Sequence, residues 1–215
     1  MNSVRVHLIA VATALVALSG APAGAQQESP LSLIRDDATR SVVVEQLSLA
    51  KARGLPTEPL MSKALEGVAK KQTSSSIRAA MNALQKRLRR ANELLAPSPT
   101  IDELAAGADA LSVGVPEKTL KQMRQAAPRR SIAVELGVLT ELVARNVPPK
   151  KASAMILDLM ARGATSAQFT ELNSRVQSDV AAGLTPEAAL DRHGRGIMSL
   201  LPPPPVVSGA NVRPR

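Results

Sequence analysis

Residues 131–165 read SIAVELGVLTELVARNVPPKKASAMILDLMARGAT. Ile132, Leu136, Leu139 and Val143 step by four, three and four, which puts them on one side of a helix. The stripe stops at Ala144-Arg145-Asn146-Val147-Pro148. Here a basic residue faces the negative helix end, and Asn accepts the left-handed conformation past the C-cap. Val then folds back on the finished helix, and Pro opens the next one, where its missing N–H costs nothing. A second helix over 149–162 ends in a looser copy, Ala161-Arg162-Gly163-Ala164-Thr165. The segment predicts helix, tight turn, helix.

The same punctuation recurs outward from this stretch. Ala52-Arg53-Gly54-Leu55-Pro56 is a close copy, Ala182-Gly183-Leu184-Thr185-Pro186 a looser one, and Gly114-Val115-Pro116 repeats its middle. Thr100 with Glu103 and Thr165 with Gln168 have capping-box spacing. Thr185-Pro186-Glu187 supplies an N-cap, a first-turn proline and an acid at the positive helix end, and Ser74 and Ser131 are expected N-caps. One-sided apolar stripes lie between these marks: Ile77, Met81, Leu84, Leu88, Ala91, Leu95; Ile101, Leu104, Ala108, Leu111; Phe169, Leu172, Val176, Val180. Val42-Val43-Val44 is the one β-branched run, and its surroundings are helical. The expectation is an all-α chain with helices near 37–53, 57–71, 74–96, 100–112, 116–127, 131–145, 149–162, 165–182 and 186–197. Turns at 54, 114, 146, 163 and 183 fit an array of short antiparallel helices, either a helical-hairpin repeat of the solenoid type or an irregular bundle.

Domain organisation follows from composition. Residues 1–25 carry Arg5, an apolar run from Leu8 to Leu18, and Ala23-Gly24-Ala25, the pattern of a removable secretory signal with a mature start at Gln26. That apolar run is shorter than the roughly 20 residues of a spanning helix. Residues 26–36 read as an N-terminal linker and 37–201 as the helical domain, divisible into a basic lobe (37–96) and a near-neutral lobe (97–201). Residues 202–215 open with four prolines and read as a disordered Pro-rich tail, or as a docking peptide for an aromatic-lined groove. The expected location is periplasmic or secreted and soluble. With no cysteine there is no lipid anchor, disulfide, thiolate metal site or cysteine nucleophile.

The formal charge of +9 is uneven. Residues 51–92 hold ten Lys and Arg against Glu58 and Glu66, whereas 93–191 hold ten basic and twelve acidic residues. A local basic field attracts acidic proteins, lipid headgroups or other polyanions, or serves only to keep a face solvated. The helix over 74–96 concentrates it, and Arg78, Lys86, Arg87, Arg89 and Arg90 are the candidate partner- or polyanion-binding residues. Arg78, Gln85, Arg89 and Asn92 are expected on one polar face. The apolar stripe of this helix serves core packing, a partner or homodimer seam, or an anionic membrane surface. One Phe and no Trp or Tyr leave nothing to stack on bases, so no specific nucleic acid partner is expected. Met61, Met81, Met123, Met155, Met160 and Met198 fill the core or line a forgiving groove for hydrophobic clients.

No residues point to a cofactor, metal or catalytic site. Asp191-Arg192-His193 brings a carboxylate and the mature chain's one imidazole close in sequence, but residues two apart on a helix point away from each other. A hydrolase around His193 is the most distant alternative, with no Gly-x-Ser-x-Gly elbow to support it. Asp36-Asp37 and Asp102-Glu103 fall at helix starts, where acids belong. The expected function is therefore a non-enzymatic interaction, scaffold or chaperone-like module of the cell envelope. Its partner would be another envelope protein or a second copy, and the alternative is a binder of anionic polymer or lipid through 51–92.

Overall fold

A computed structural model describes residues 30–203. The expected secretory signal (residues 1–25) and residues 204–215 of the expected Pro-rich tail lie outside the described residues. Within them the protein is all-helical: α1 Asp37–Ala52, α2 Glu58–Ala69, α3 Ser74–Leu94, α4 Ile101–Ser112, α5 Glu117–Ala126, α6 Ala133–Ala144, α7 Pro149–Ala161, α8 Ser166–Ala181 and α9 Pro186–Met198. A short 3-10 turn, Pro30–Leu33, precedes α1. Within the stretch expected as a linker, Ile34 is fully buried and its carbonyl accepts from the Arg40 guanidinium.

The recurrent turns are complete Schellman motifs. Asn146 N–H donates to Val143 O and Val147 N–H to Leu142 O; Gly54 and Leu55 donate to Lys51 and Ala50 in the same way. The pattern repeats at 114, 163 and 183, and once more at Lys71, a site the sequence pattern did not mark. Each of these positions has a positive φ. Asn146 holds φ 68°, where its short polar side chain is tolerated better than most. The residue after the turn packs inward: Leu55, Val115, Val147 and Ala164 are buried.

Helix starts follow local chemistry, with two shifts. Both expected capping boxes form, at Thr100–Glu103 and Thr165–Gln168, and Thr185 accepts from the Ala188 N–H. Thr73, not Ser74, caps α3: its hydroxyl accepts from Ser76 N–H, and Ser74 is already helical. Ile132 occupies the N-cap of α6, with the Ser131 hydroxyl accepting from Ala133 N–H just outside it.

Every substantial helix–helix contact joins a helix to the next or the next but one in sequence. The odd-numbered helices pack in order, α1 on α3, α3 on α5, α5 on α7 and α7 on α9; α4, α6 and α8 form the facing row. Alternate helices run parallel. Thr39 meets Ser74, Glu45 meets Arg78 and Arg53 meets Gln85 as α1 and α3 climb together. Glu141 with Asn173 and Arg145 with Gln177 give α6 and α8 the same sense. Contacts between sequential helices suit the expected array of short helices, in which each buries its apolar face against its neighbours. One core of buried side chains runs from Ile34 to Ile197 and crosses the boundary between the two expected lobes.

The α3 stripe Ile77, Met81, Leu84, Leu88, Ala91 and Leu95 is entirely buried. Of the readings open for it, core packing is the one the structure shows. In the α4 stripe Ile101 is instead 53 % exposed, because it is the first residue of the helix and precedes the turn that meets α6. No helix among the described residues is long and apolar enough to cross a membrane.

Candidate functional site

With its apolar side committed to the core, α3 leaves only its basic side for recognition. The five candidate cations meet three different fates. Arg78 and Arg90 are tied within the protein. Arg78 reaches across to Glu45 on α1 at 2.7 Å. Arg90 donates through two nitrogens to the two Glu117 oxygens at 2.8 and 2.5 Å, and also meets Glu93. This fork clamps α3 to α5, raises the Arg90 pKa and holds the Glu117 carboxyl below its ordinary range. Lys86 and Arg89 are exposed, one helical turn apart, with no ion-pair partner among the described residues.

Arg87 points elsewhere. It is half-buried, its Nε is buried without a hydrogen-bond partner, and it lines a cleft between α2, α3 and α4. Gln85 does not share the polar face expected for it: it is 2 % exposed. Its amide donates to the Gln46 carbonyl and side chain at 3.0 and 3.1 Å, and its oxygen accepts from Arg53 at 3.0 Å. The parallel crossing of α1 supplies these partners, and no reading of α3 by itself could have supplied them. It also brings Arg53 beside the Lys86–Arg89 turn.

Next to this basic side, the first hairpin exposes apolar surface. Leu33, Val44 and Leu49 are 63, 44 and 39 % exposed. A groove of about 380 Å³ opens on the α2 side of α1, lined by Pro30, Leu47, Met61, Ser62 and Leu65, with Thr57 and Glu58 at its rim; Leu33, Val44 and Leu49 are not among its lining. The α1 sequence carried the signal, since Val44 and Leu49 lie off its buried stripe, but periodicity alone does not say that nothing covers them. Met61 lines this groove, whereas Met81, Met123 and Met160 are buried and Met155 and Met198 pack against the core. The methionines thus form no continuous groove.

His193 has a partner the sequence did not indicate. Its Nε2 lies 2.9 Å from Asp179 on α8, and Arg192 meets the same carboxylate at 3.2 Å. Asp191 is instead held by Lys151 at 2.8 Å. The adjoining cleft, about 220 Å³, is lined by Gln168, Glu171, Arg175, Gly196, Ile197 and Leu200 besides His193, with no hydroxyl or thiol among these side chains. The acidic pairs do structural work at helix starts. Asp36 caps α1, and Asp37 pairs with Arg40. Glu103 closes its capping box and also accepts from the Ile132 N–H and from Arg124. No group of three metal-ligating side chains occurs among the described residues.

Comparison with protein-family models, with curated proteins and with solved structures returned no match for this chain.

Proposed function

We propose that this protein is a non-enzymatic interaction module of the cell envelope, exported by the signal in residues 1–25. Its contact surface is the exposed face of the α1–α2 hairpin, and its partner is a protein segment that is apolar on one side and acidic on the other. The observation that carries this is the pairing of surfaces. End units of helical repeats ordinarily present a polar outer face, yet here Leu33, Val44 and Leu49 stand exposed, and an apolar groove lined by Leu47, Met61 and Leu65 opens between α1 and α2. Exposed cations without ion-pair partners among the described residues, Lys51, Lys86 and Arg89, border the same end of α1 and α3. An acidic amphipathic helix satisfies both surfaces.

The test uses three baits in envelope extract: the unaltered protein, Leu47→Gln with Met61→Gln, and Lys86→Gln with Arg89→Gln. The expected partner is held by the first, lost from the second, and held by the third with a weakened dependence on salt. A synthetic peptide of its acidic amphipathic segment should reproduce that order of affinities. Equal retention by all three baits, or retention lost only with the two cations and at high salt, removes the groove from the reading. The second of those results favours the polyanion alternative, which the exposed Lys86–Arg89 turn supports. Mass spectrometry of the exported protein should find Gln26 at its start; Met1 there would refute the export step.

A further inference from the structure

The cleft between α2, α3 and α4 holds opposite charges that have not been spent on each other. Its volume is about 320 Å³, and its walls are half polar in character: Ser62, Arg87, Asp109 and Ser112 alternate with Pro59, Leu84 and Ala105. The other charged residues lining it are already paired. Lys63 donates to Glu66 at 2.7 Å, and Lys70 meets the same carboxylate at 2.6 Å. Together they pull the Glu66 carboxyl down to about 2, so it stays ionised and occupied. Arg87 and Asp109 form no salt bridge, with each other or with any described residue.

The Arg87 Nε is buried with no acceptor. Its two terminal nitrogens are not buried in this way and have no acceptor among the described residues, so they are the part of the guanidinium open to a ligand. The two terminal nitrogens of a guanidinium lie side by side, a geometry that takes a carboxylate with two parallel hydrogen bonds. Across the cleft, Asp109 is exposed as a residue. The protein atoms crowded around its carboxyl nonetheless raise its pKa, against the pull of Arg87 and Lys63. A cation placed beside it would bring that carboxyl back toward its charged form. Two carboxylates in the walls, Glu66 and Asp109, repel a dianion such as phosphate, so the cleft is not a simple anion site.

We propose that this cleft binds a small zwitterion of the free α-amino-acid class, its carboxylate on Arg87, its ammonium on Asp109 and an aliphatic side chain against Leu84, Pro59 and Ala105. The site adjoins the α1–α2 groove at Ser62, which lines both, but its charged residues lie outside that groove, and neither reading depends on the other.

The test is a titration of the isotope-labelled full chain followed by NMR. The probes are L-valine, 3-methylbutanoate (no ammonium), 2-methylpropylamine (no carboxylate) and inorganic phosphate. L-Valine should move the amides of Ser62, Arg87 and Asp109 with a Kd on the order of 0.1–1 mM. Each of the other three probes should bind at least about ten-fold more weakly. Arg87→Gln should abolish binding of L-valine, and Asp109→Asn should weaken it about ten-fold while leaving 3-methylbutanoate bound no more weakly than before. The proposal is overturned if L-valine leaves these amides unmoved at about 10 mM. It is also overturned if 3-methylbutanoate or phosphate binds as well as L-valine, or if Asp109→Asn changes nothing. Should Arg87→Gln fail to fold, the four probes on the unaltered protein and the Asp109→Asn variant still decide the question.

Discussion

Glu103 is the side chain whose loss should cost this fold most for its size. It is 2 % exposed, and Arg124 beside it is nearly as buried. One oxygen accepts from the Thr100 N–H at 2.8 Å; the other accepts from the Ile132 N–H at 2.9 Å and from Arg124. A single carboxylate therefore starts α4, fixes the entry to α6 and neutralises a cation from α5. Glu103→Ala leaves Arg124 with only the Ala127 and Arg130 carbonyls, at 3.1 and 3.2 Å, and no counter-charge. It also strands two N–H groups. Removing one partner of a buried pair costs about 3–5 kcal/mol, a large share of the roughly 5–15 kcal/mol by which a domain is stable. At this chain length that lowers the thermal midpoint by roughly 6–20 °C. Urea unfolding of the purified protein, followed by circular dichroism, measures it. The companion experiment is the Glu103→Leu, Arg124→Leu cycle. The double variant should be more stable than the sum of the single losses by about 0.5–3 kcal/mol, because it leaves no orphaned charge. A Glu103→Ala loss under about 1 kcal/mol, or single losses that add within about 0.5 kcal/mol, would refute the reasoning.

Two glycines should respond oppositely to alanine. A Cβ on Gly107 meets Ala91 Cβ at 3.1 Å and Leu95 at 3.0 Å where α3 and α4 approach, so Gly107→Ala should destabilise by roughly 1–3 kcal/mol. A Cβ on Gly137, inside α6, meets nothing within 4 Å, so Gly137→Ala should stabilise by roughly 0.5–1 kcal/mol. Thermal melts of the pair check both. At Asn146, with φ 68°, Asn146→Gly should be neutral or slightly stabilising and Asn146→Val should cost at least about 1–2 kcal/mol in the same assay. Acid should weaken the fold. Burial acts to raise the Glu103 carboxyl, but donors from Thr100, Ile132 and Arg124 outweigh it and the net direction is down; Arg90 lowers Glu117, and Asn173 with Arg145 lowers Glu141. The stability these groups add is present above the pKa of an unfolded carboxyl, about 4.3. It is lost as pH falls through their lower folded values. Asp109, shifted upward, opposes the trend. Urea midpoints should drop between about pH 5 and pH 2; a flat profile there would contradict the assignment.

Much of the fold was legible because its signals are short-range. The five marked turns, at 54, 114, 146, 163 and 183, all carry a left-handed residue, since the preference of Gly and Asn for that conformation depends on nothing outside the turn. The turn at Lys71 escaped because lysine announces no such preference. The site was less legible. Five cations on α3 look alike in sequence, yet Arg78 and Arg90 are consumed by acids 33 and 27 residues away, and Arg87 turns into a cleft formed by two other helices.

The sequence alone determined roughly where helices begin and end, several of the residues that cap them and which stripe of each is apolar. Those outcomes rest on dihedral preferences and on hydrogen bonds spanning three to six residues. Only the tertiary structure decided that Gln85 is buried, that His193 pairs with Asp179 rather than Asp191, and that Lys86 and Arg89 stay exposed without ion-pair partners among the described residues. Each depends on the register between helices. One residue of sliding or 100° of rotation changes a side chain's partner while leaving the helix, and the sequence pattern that specifies it, unchanged.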